Sequence, residues 1–175
     1  MSISIDVYIK SIVTTHGYTY FDLLSLGDGE IKLFIQIQPT GIFYFHTEVG
    51  GAGNQYNASD TSTIFDKWTN IHLQIPTNGA GTHSLFINGN NVLGAGGNPI
   101  TNTPIINSIQ LGGSRTSEFN YFNGFIRNFS LYNRSLSHPE IIVTNGSLTS
   151  LTPSHIPNID DIQYSLSFDN NYNEL

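Results

Sequence analysis

Trp68-Thr69-Asn70-Ile71-His72-Leu73-Gln74-Ile75 and Leu85-Phe86-Ile87-Asn88-Gly89-Asn90-Asn91-Val92-Leu93 decide the fold between them. The first run sets Thr69, Ile71, Leu73 and Ile75 against Trp68, Asn70, His72 and Gln74. That is the period of two required of a half-buried strand, whose successive side chains leave opposite faces. The second run is broken by Asn88-Gly89, a pair that accepts the positive φ of a type I′ turn, and so reads as a tight hairpin. Toward the N-terminus, Ile31, Leu33, Ile35 and Ile37 alternate. Pro39-Thr40-Gly41 then interrupts before Ile42-Phe43-Tyr44-Phe45-His46-Thr47, a hairpin in outline. Ser2 to Lys10 is the clearest strand, with Ile3, Ile5, Val7 and Ile9 on one face and Ser4, Asp6, Tyr8 and Lys10 on the other. Toward the C-terminus, strands are expected over Ile105 to Leu111 and Phe122 to Tyr132. A last one places Ile162, Tyr164, Leu166 and Phe168 opposite Gln163, Ser165 and Ser167.

Helical signal is confined to one place. Ser137 can cap the free amides of a first turn and Glu140 can reach back to it. Ile141-Ile142-Val143 follow and Asn145-Gly146 stop the run, giving one short helix near 138–145. Many short strands joined by Gly and Asn turns specify an all-β chain folded as an antiparallel two-sheet sandwich.

Length and charge bound the function. The 175 residues form one domain, long enough to bury a core from a composition that is 38% hydrophobic. Six Lys and Arg against 13 Asp and Glu leave a net charge of −7. Phosphate neutralisation drives nucleic-acid binding and attraction to anionic membranes, so neither partner is expected. Cysteine is absent, which removes disulfides, thiolate metal sites and a cysteine nucleophile. No apolar run approaches the roughly 20 residues of a membrane helix, so no membrane insertion is expected. Met1-Ser2-Ile3-Ser4-Ile5-Asp6 has neither the basic nor the continuous apolar region of a signal peptide.

Several pieces in order carry a family resemblance. They are Phe65-Asp66-Lys67-Trp68-Thr69-Asn70-Ile71-His72-Leu73, Leu85-Phe86-Ile87-Asn88-Gly89, Ile109-Gln110-Leu111-Gly112-Gly113-Ser114, Phe122-Asn123-Gly124-Phe125-Ile126-Arg127-Asn128-Phe129, and Leu131-Tyr132-Asn133-Arg134-Ser135-Leu136-Ser137 with Glu140-Ile141. Together they resemble the laminin-G-like, concanavalin-A-like jelly roll over roughly residues 2 to 142. The resemblance implies a jelly-roll sandwich in which Trp68 sits where a strand enters the core and Gly124 permits close approach between sheets. It also implies that a strand reading like Leu166-Ser167-Phe168-Asp169-Asn170-Asn171 should come first, whereas here it comes last. The expected organisation is a jelly roll over 1–146, a linker over 147–161 and a C-terminal strand in 162–175. That strand completes this sandwich, beside its own first strand, or a neighbouring one. A linker of about 15 residues spans roughly 50 Å when extended, enough for either.

Catalysis finds little support in the residue pattern. Glycoside hydrolysis needs two carboxylates flanking the scissile bond. Glu30, Glu48, Glu118, Glu140 and Glu174 stand alone, and Asp160-Asp161 would point to opposite faces. His16, His46, His72, His83, His138 and His155 show no zinc spacing. His46 and His72 are expected to be solvent-side or hydrogen-bonded strand residues.

Relatives often bind calcium at the sandwich rim, and hard cations want several oxygens. Asp28 and Asn123, with Asn120 as a further choice, are the metal candidates; otherwise no cofactor is expected. Two loops combine aromatic faces with amide donors, as sugar sites do: Gly50 to Asp60 and Arg115 to Tyr121. Tyr56 and Tyr121 are the candidate stacking platforms, with Asn54, Asn57, Arg115 and Asn120 as hydrogen-bonding ligands.

The reading is a non-catalytic recognition module binding glycan or glycoprotein at a surface, extracellular, on a cell or on a virion. The alternative is a structural subunit of a virion, filament or surface layer that self-associates through Ile162 to Phe168. A glycoside hydrolase stands a distant third.

Overall fold

The computed structural model describes residues 1–10, 19–27, 30–37, 43–57, 64–76, 81–92, 99–100, 105–112, 122, 124–144 and 162–166. These form strands β1 (Ser2–Ile9), β2 (Thr19–Leu26), β3 (Ile31–Ile37), β4 (Phe43–Val49), β5 (Ala52–Asn57), β6 (Trp68–Gln74), β7 (Ser84–Ile87), β8 (Asn90–Asn91), β9 (Ile109–Leu111), β10 (Gly124–Tyr132) and β11 (Ile162–Leu166), with helix α1 (His138–Thr144). One sheet has the order β11-β10-β1-β6-β7-β8 and the other β5-β4-β3-β2-β9, and every pairing is antiparallel.

Alternation does what the sequence promised. Ile3, Ile5, Val7 and Ile9 of β1, Ile71 and Leu73 of β6, and Leu85 and Ile87 of β7 face Ile31, Leu33, Ile35, Phe45 and Val49 of the other sheet in one buried cluster. These two inner faces are the core, and burial of its aliphatic and aromatic side chains at roughly 1.5–3 kcal/mol each drives the sheets together. The fold is a jelly-roll sandwich, as expected.

Differences from the expected elements have local causes. The strand β2 was not legible because its register slips between Asp22 and Leu24, and the bulge buries Leu23 and Leu24 together, destroying the alternation. Of the strand expected over Ile105 to Leu111, Ile109–Leu111 forms. The stretch expected as a loop from Gly50 to Asp60 is largely strand: Gly50 (φ 52°) and Gly51 (φ 80°) make a tight turn, and β5 returns along β4. Gly124 serves neighbouring strands rather than facing sheets, since a Cβ there would strike Tyr8 O of β1 and the Phe122 ring.

The linker over 147–161 lies outside the described residues. Within the chain, β11 pairs with β10, matching Leu166 to Phe129 and Tyr164 to Leu131, at the edge of the sheet. A position beside β1 is closed to it, because β1 already has β10 on one side and β6 on the other.

The two halves of the six-stranded sheet's outer face differ. Residues 133–144 fold over one half, where Phe86, Tyr132, Leu136 and Ile141 form a second small cluster. Leu136 N donates to Ser2 Oγ (3.0 Å) and Gln74 Nε2 donates to Leu136 O (2.6 Å), stitching this segment to the strands. Ser2, Ser4 and His72 are consequently buried. The other half, around Tyr8, Trp68 and Phe125, stays open, and Trp68 is 40% exposed on it rather than entering the core. The inner face of β6 is already filled by Thr69, Ile71 and Leu73.

A bulge in β10 sorts these halves. Asp6 pairs with Arg127 but Ser4 pairs with Ser130, so one extra residue is absorbed, and Asn128 sits at φ 52°. Phe125 and Arg127 therefore face outward while Phe129 and Leu131, also odd-numbered, face the core. Asn tolerates the left-handed region, and its Nδ2 donates to Asp6 Oδ2 at 2.8 Å. Asn128→Val is expected to cost about 1–2 kcal/mol in urea unfolding and Asn128→Gly much less; equal costs would show the backbone conformation is not the cause.

Candidate functional site

The outer face of β3, β4 and β5 carries a grid set by strand register. Lys32, Glu48 and Gly53 form one row; Phe34, His46 and Gln55 the next; Gln36, Tyr44 and Asn57 the third. Each row crosses three strands, so residues far apart in sequence become neighbours.

The central row holds the chemistry. Phe34 and His46 stack face to face, with centroids 4.7 Å apart and planes 8° from parallel. Tyr44 tilts against His46 at 6.1 Å. His46 Nε2 donates to Gln36 Oε1 at 2.8 Å, which fixes the ring and its tautomer, and burial holds its pKa below the ordinary histidine value. The imidazole is thus a neutral aromatic surface at pH 7. Lys32 Nζ donates to Glu48 Oε2 at 3.2 Å beside it. Because Gly53 has no side chain, a depression of about 220 Å³ opens among Phe34, His46, Glu48, Asn54 and Gln55. A Cβ at Gly53 would meet nothing within 4 Å.

The residues singled out from sequence are distributed differently. Tyr56 and Asn54 stand on β5 rather than on a loop. Tyr56 is half-buried and packs against the core. Asn54 lines the depression and donates from Nδ2 to His83 Nε2 at 3.0 Å. Asn57 occupies the end of the third row, opposite Tyr44. Arg115, Asn120, Tyr121, Asp28 and Asn123 lie outside the described residues, as does the whole loop from Arg115 to Tyr121. Among the described residues no group of three or more His, Asp or Glu side chains is placed to hold a metal ion. Phe34 and Gln55 were missed because the depression is assembled across three strands: alternation marked Phe34 only as outward-facing, and Gln55 fell in the stretch expected as a loop.

His46 is hydrogen-bonded, as expected for a strand histidine. The expectation fails for His72, which is fully buried with neither ring nitrogen partnered among the described residues, because residues 133–144 roof that part of the sheet. His83 is also buried. Asn54 Nδ2 can only donate, so His83 Nε2 is an acceptor, and Thr47 Oγ1 approaches the same nitrogen at 2.6 Å.

Comparison with known proteins fits this architecture. The model of the concanavalin A-like lectin/glucanases superfamily matches residues 1–142. The chain resembles the solved Trypanosoma rangeli sialidase in complex with 2,3-difluorosialic acid with a TM-score of 0.58 and 20% identity, covering 82% of this chain but 22% of that one. It therefore spans about a fifth of the sialidase. The heptameric SAP-like pentraxin of Limulus polyphemus gives a TM-score of 0.54 at 11% identity, covering 96% of this chain and 80% of that one. The CBM40 of the Ruminococcus gnavus IT-sialidase gives 0.53 at 19% identity, covering 83% and 82%. A comparison with curated proteins returns no match. At these identities the structures speak to fold alone; with the match over residues 1–142 and the two antiparallel sheets sharing one core, the chain belongs to the concanavalin A-like lectin/glucanases superfamily.

Proposed function

We propose that the chain is a non-catalytic glycan-recognition module that receives sugar on the outer face of β3, β4 and β5. The observation that carries this reading is the stacked Phe34–His46 pair lining an open depression. An aromatic surface suits the apolar CH face of a pyranose, while Gln55 and the Lys32–Glu48 pair offer donors and acceptors to its hydroxyls. The relatives lend support: one is a carbohydrate-binding module by name, and another was solved with a sialic acid derivative. Among the described residues the depression offers one carboxylate, Glu48, which Lys32 occupies, so the reading has no acid and base pair for hydrolysis.

Gly53→Trp tests it. The new side chain has room at its Cβ and would fill the depression, so the variant is expected to melt like the parent and to lose glycan-array binding at least tenfold. Unchanged binding moves the ligand elsewhere, and an array silent for the parent chain ends the reading. Repeating the array with a chelator tests calcium, with Asp28 and Asn123 as its proposed ligands; binding indifferent to the chelator removes it.

The alternative, a structural subunit built by exchange of Ile162 to Phe168, draws on one feature. Among the described residues the strand β11 is hydrogen-bonded to β10 alone, so the same hydrogen bonds can form with another copy's β10. Light scattering over a hundredfold concentration range distinguishes the readings: a stable 19.3 kDa species supports the recognition module, and discrete or open-ended polymers support assembly.

A further inference from the structure

We infer that the open half of the six-stranded sheet is a second ligand site, on the opposite side of the sandwich from the depression, and that it takes a carboxylated glycan. The inference extends glycan recognition to another face without depending on Phe34 and His46.

Register builds the site. Phe125 of β10, Tyr8 of β1 and Trp68 of β6 lie opposite one another across three strands. Their rings meet edge to face, with centroids 5.9 Å apart for Tyr8 and Phe125 and 5.8 Å for Tyr8 and Trp68. Trp68 and Phe125 are 40% and 51% exposed, an unusual amount of aromatic surface for a strand face. Nothing among the described residues covers it, whereas the other half of the same face is roofed by residues 133–144.

Cations converge on this row. The Arg127 guanidinium lies over the Trp68 ring, 3.9 Å from its centroid, and Nε donates to Asp6 Oδ2 at 3.3 Å. Asp6 is held in turn by Asn70 and Asn128, each at 2.8 Å. One edge of the guanidinium is thereby fixed, while Nη1 and Nη2 have no partner among the described residues. Lys10 Nζ lies 5.1 Å from the Phe125 centroid, also with no carboxylate among the described residues. Two of the chain's six basic residues thus lie on the row, on a protein of net charge −7.

The chemistry selects the ligand. A planar fork clamped by an aromatic face and an acid is preorganised for bidentate binding of a carboxylate, and the exposed aromatic edges suit the apolar face of the ring that bears it. An acidic peptide fits less well. Peptides gain affinity by adding to a free strand edge, and β1, under Tyr8, is already paired on both sides. Two cations are also too few to hold nucleic acid at physiological salt.

Calorimetry on the full chain at low salt tests the proposal with polygalacturonate, its carboxyl-reduced counterpart and polyglutamate. The expected result is binding of polygalacturonate, at least tenfold weaker binding of the reduced polymer, and a further tenfold loss in Arg127→Gln combined with Lys10→Gln. Arg127→Lys keeps a cation for Asp6 and removes the fork, so it should also weaken binding, and it carries the test if the double variant fails to fold. Gly53→Trp should leave polygalacturonate binding intact. Failure to bind polygalacturonate, or indifference to Arg127→Lys, overturns the proposal. Equal affinity for polyglutamate reassigns the face to acidic polypeptides. Loss of polygalacturonate binding in Gly53→Trp alone places the ligand in the depression, which sinks this site and spares the first.

Discussion

Acidifying the protein from about pH 7 to about pH 4 is expected to remove several kcal/mol of stability, most of it through two histidines. Burial pushes the His72 pKa down to about 3 and that of His83 down to about 4. Both rings refuse a proton in the fold that they accept near pH 6.5 in the unfolded chain. As pH falls below 6.5 the unfolded state therefore binds more protons, and stability drains away until the folded rings titrate near 3–4. Each unit of pH costs about 1.4 kcal/mol per histidine, or roughly 3 kcal/mol from each by pH 4. His72→Leu separates the contributions. It replaces two unpartnered buried nitrogens with an apolar side chain beside Phe86, and should be at least as stable as the parent at neutral pH while losing about half of the acid sensitivity. Urea unfolding across a pH series reads both effects. An unchanged slope in His72→Leu would mean that the ring is protonated, or solvated, in the fold.

Glu140→Ala is expected to cost about 2 kcal/mol. Its carboxylate accepts from Arg134 Nη2 (2.6 Å) and Nη1 (3.1 Å), from Ser137 N (2.7 Å) and from Ser137 Oγ (2.8 Å). The Ser137 N contact is the reach-back of the capping box read from the sequence. Arg134 is 38% exposed, so water compensates part of the loss and holds it below that of a fully buried pair. The Arg134 hydrogen bonds are the main reason the Glu140 pKa falls to about 2. A depressed carboxylate stabilises the fold above its unfolded value of 4.5, and that stability is lost as pH falls from there toward 2. The parent chain should thus show a second acid step below that of the histidines, absent in Glu140→Ala. The variant should also loosen the roof formed by residues 133–144, visible as faster amide exchange at Leu136 and Ile141 than in the sheet core. Parent-like melting and exchange would show that the segment is held by Phe86, Tyr132, Leu136 and Ile141 without it.

Most of the sandwich could be read before any coordinates. The strands from Ser2, Ile31, Phe43 and Trp68 follow a strict two-residue period because one face of each packs into the core between the sheets and the other does not. The Asn88-Gly89 turn and the Ser137–Glu140 cap are local and therefore legible. What failed was anything that breaks phase or depends on tertiary cover. Leu23-Leu24 hides β2 behind a bulge, and Gly-Gly-Ala-Gly-Asn at the start of β5 has the composition of a loop. His72 looks solvent-facing until residues 133–144 are laid over it. The candidate sites were the least legible part, since Phe34, His46 and Gln55, or Phe125, Tyr8 and Trp68, are brought together by register, a property of strand pairs that no single segment encodes.

The extra residue at Asn128 makes β10 behave like a message read in two frames. Upstream of it odd positions address solvent, and downstream they address the interior. Deleting Asn128 would restore a single frame. Phe129 alone would then stand opposite Ile5, between the existing Ser130–Ser4 and Arg127–Asp6 pairs, so Arg127 stays on the solvent side and Ile126 on the core side with the register to Asp6 and Tyr8 unchanged. A single-residue deletion at this point would thus be absorbed and not passed along the strand, sparing the aromatic row and costing the hydrogen bond from Asn128 to Asp6.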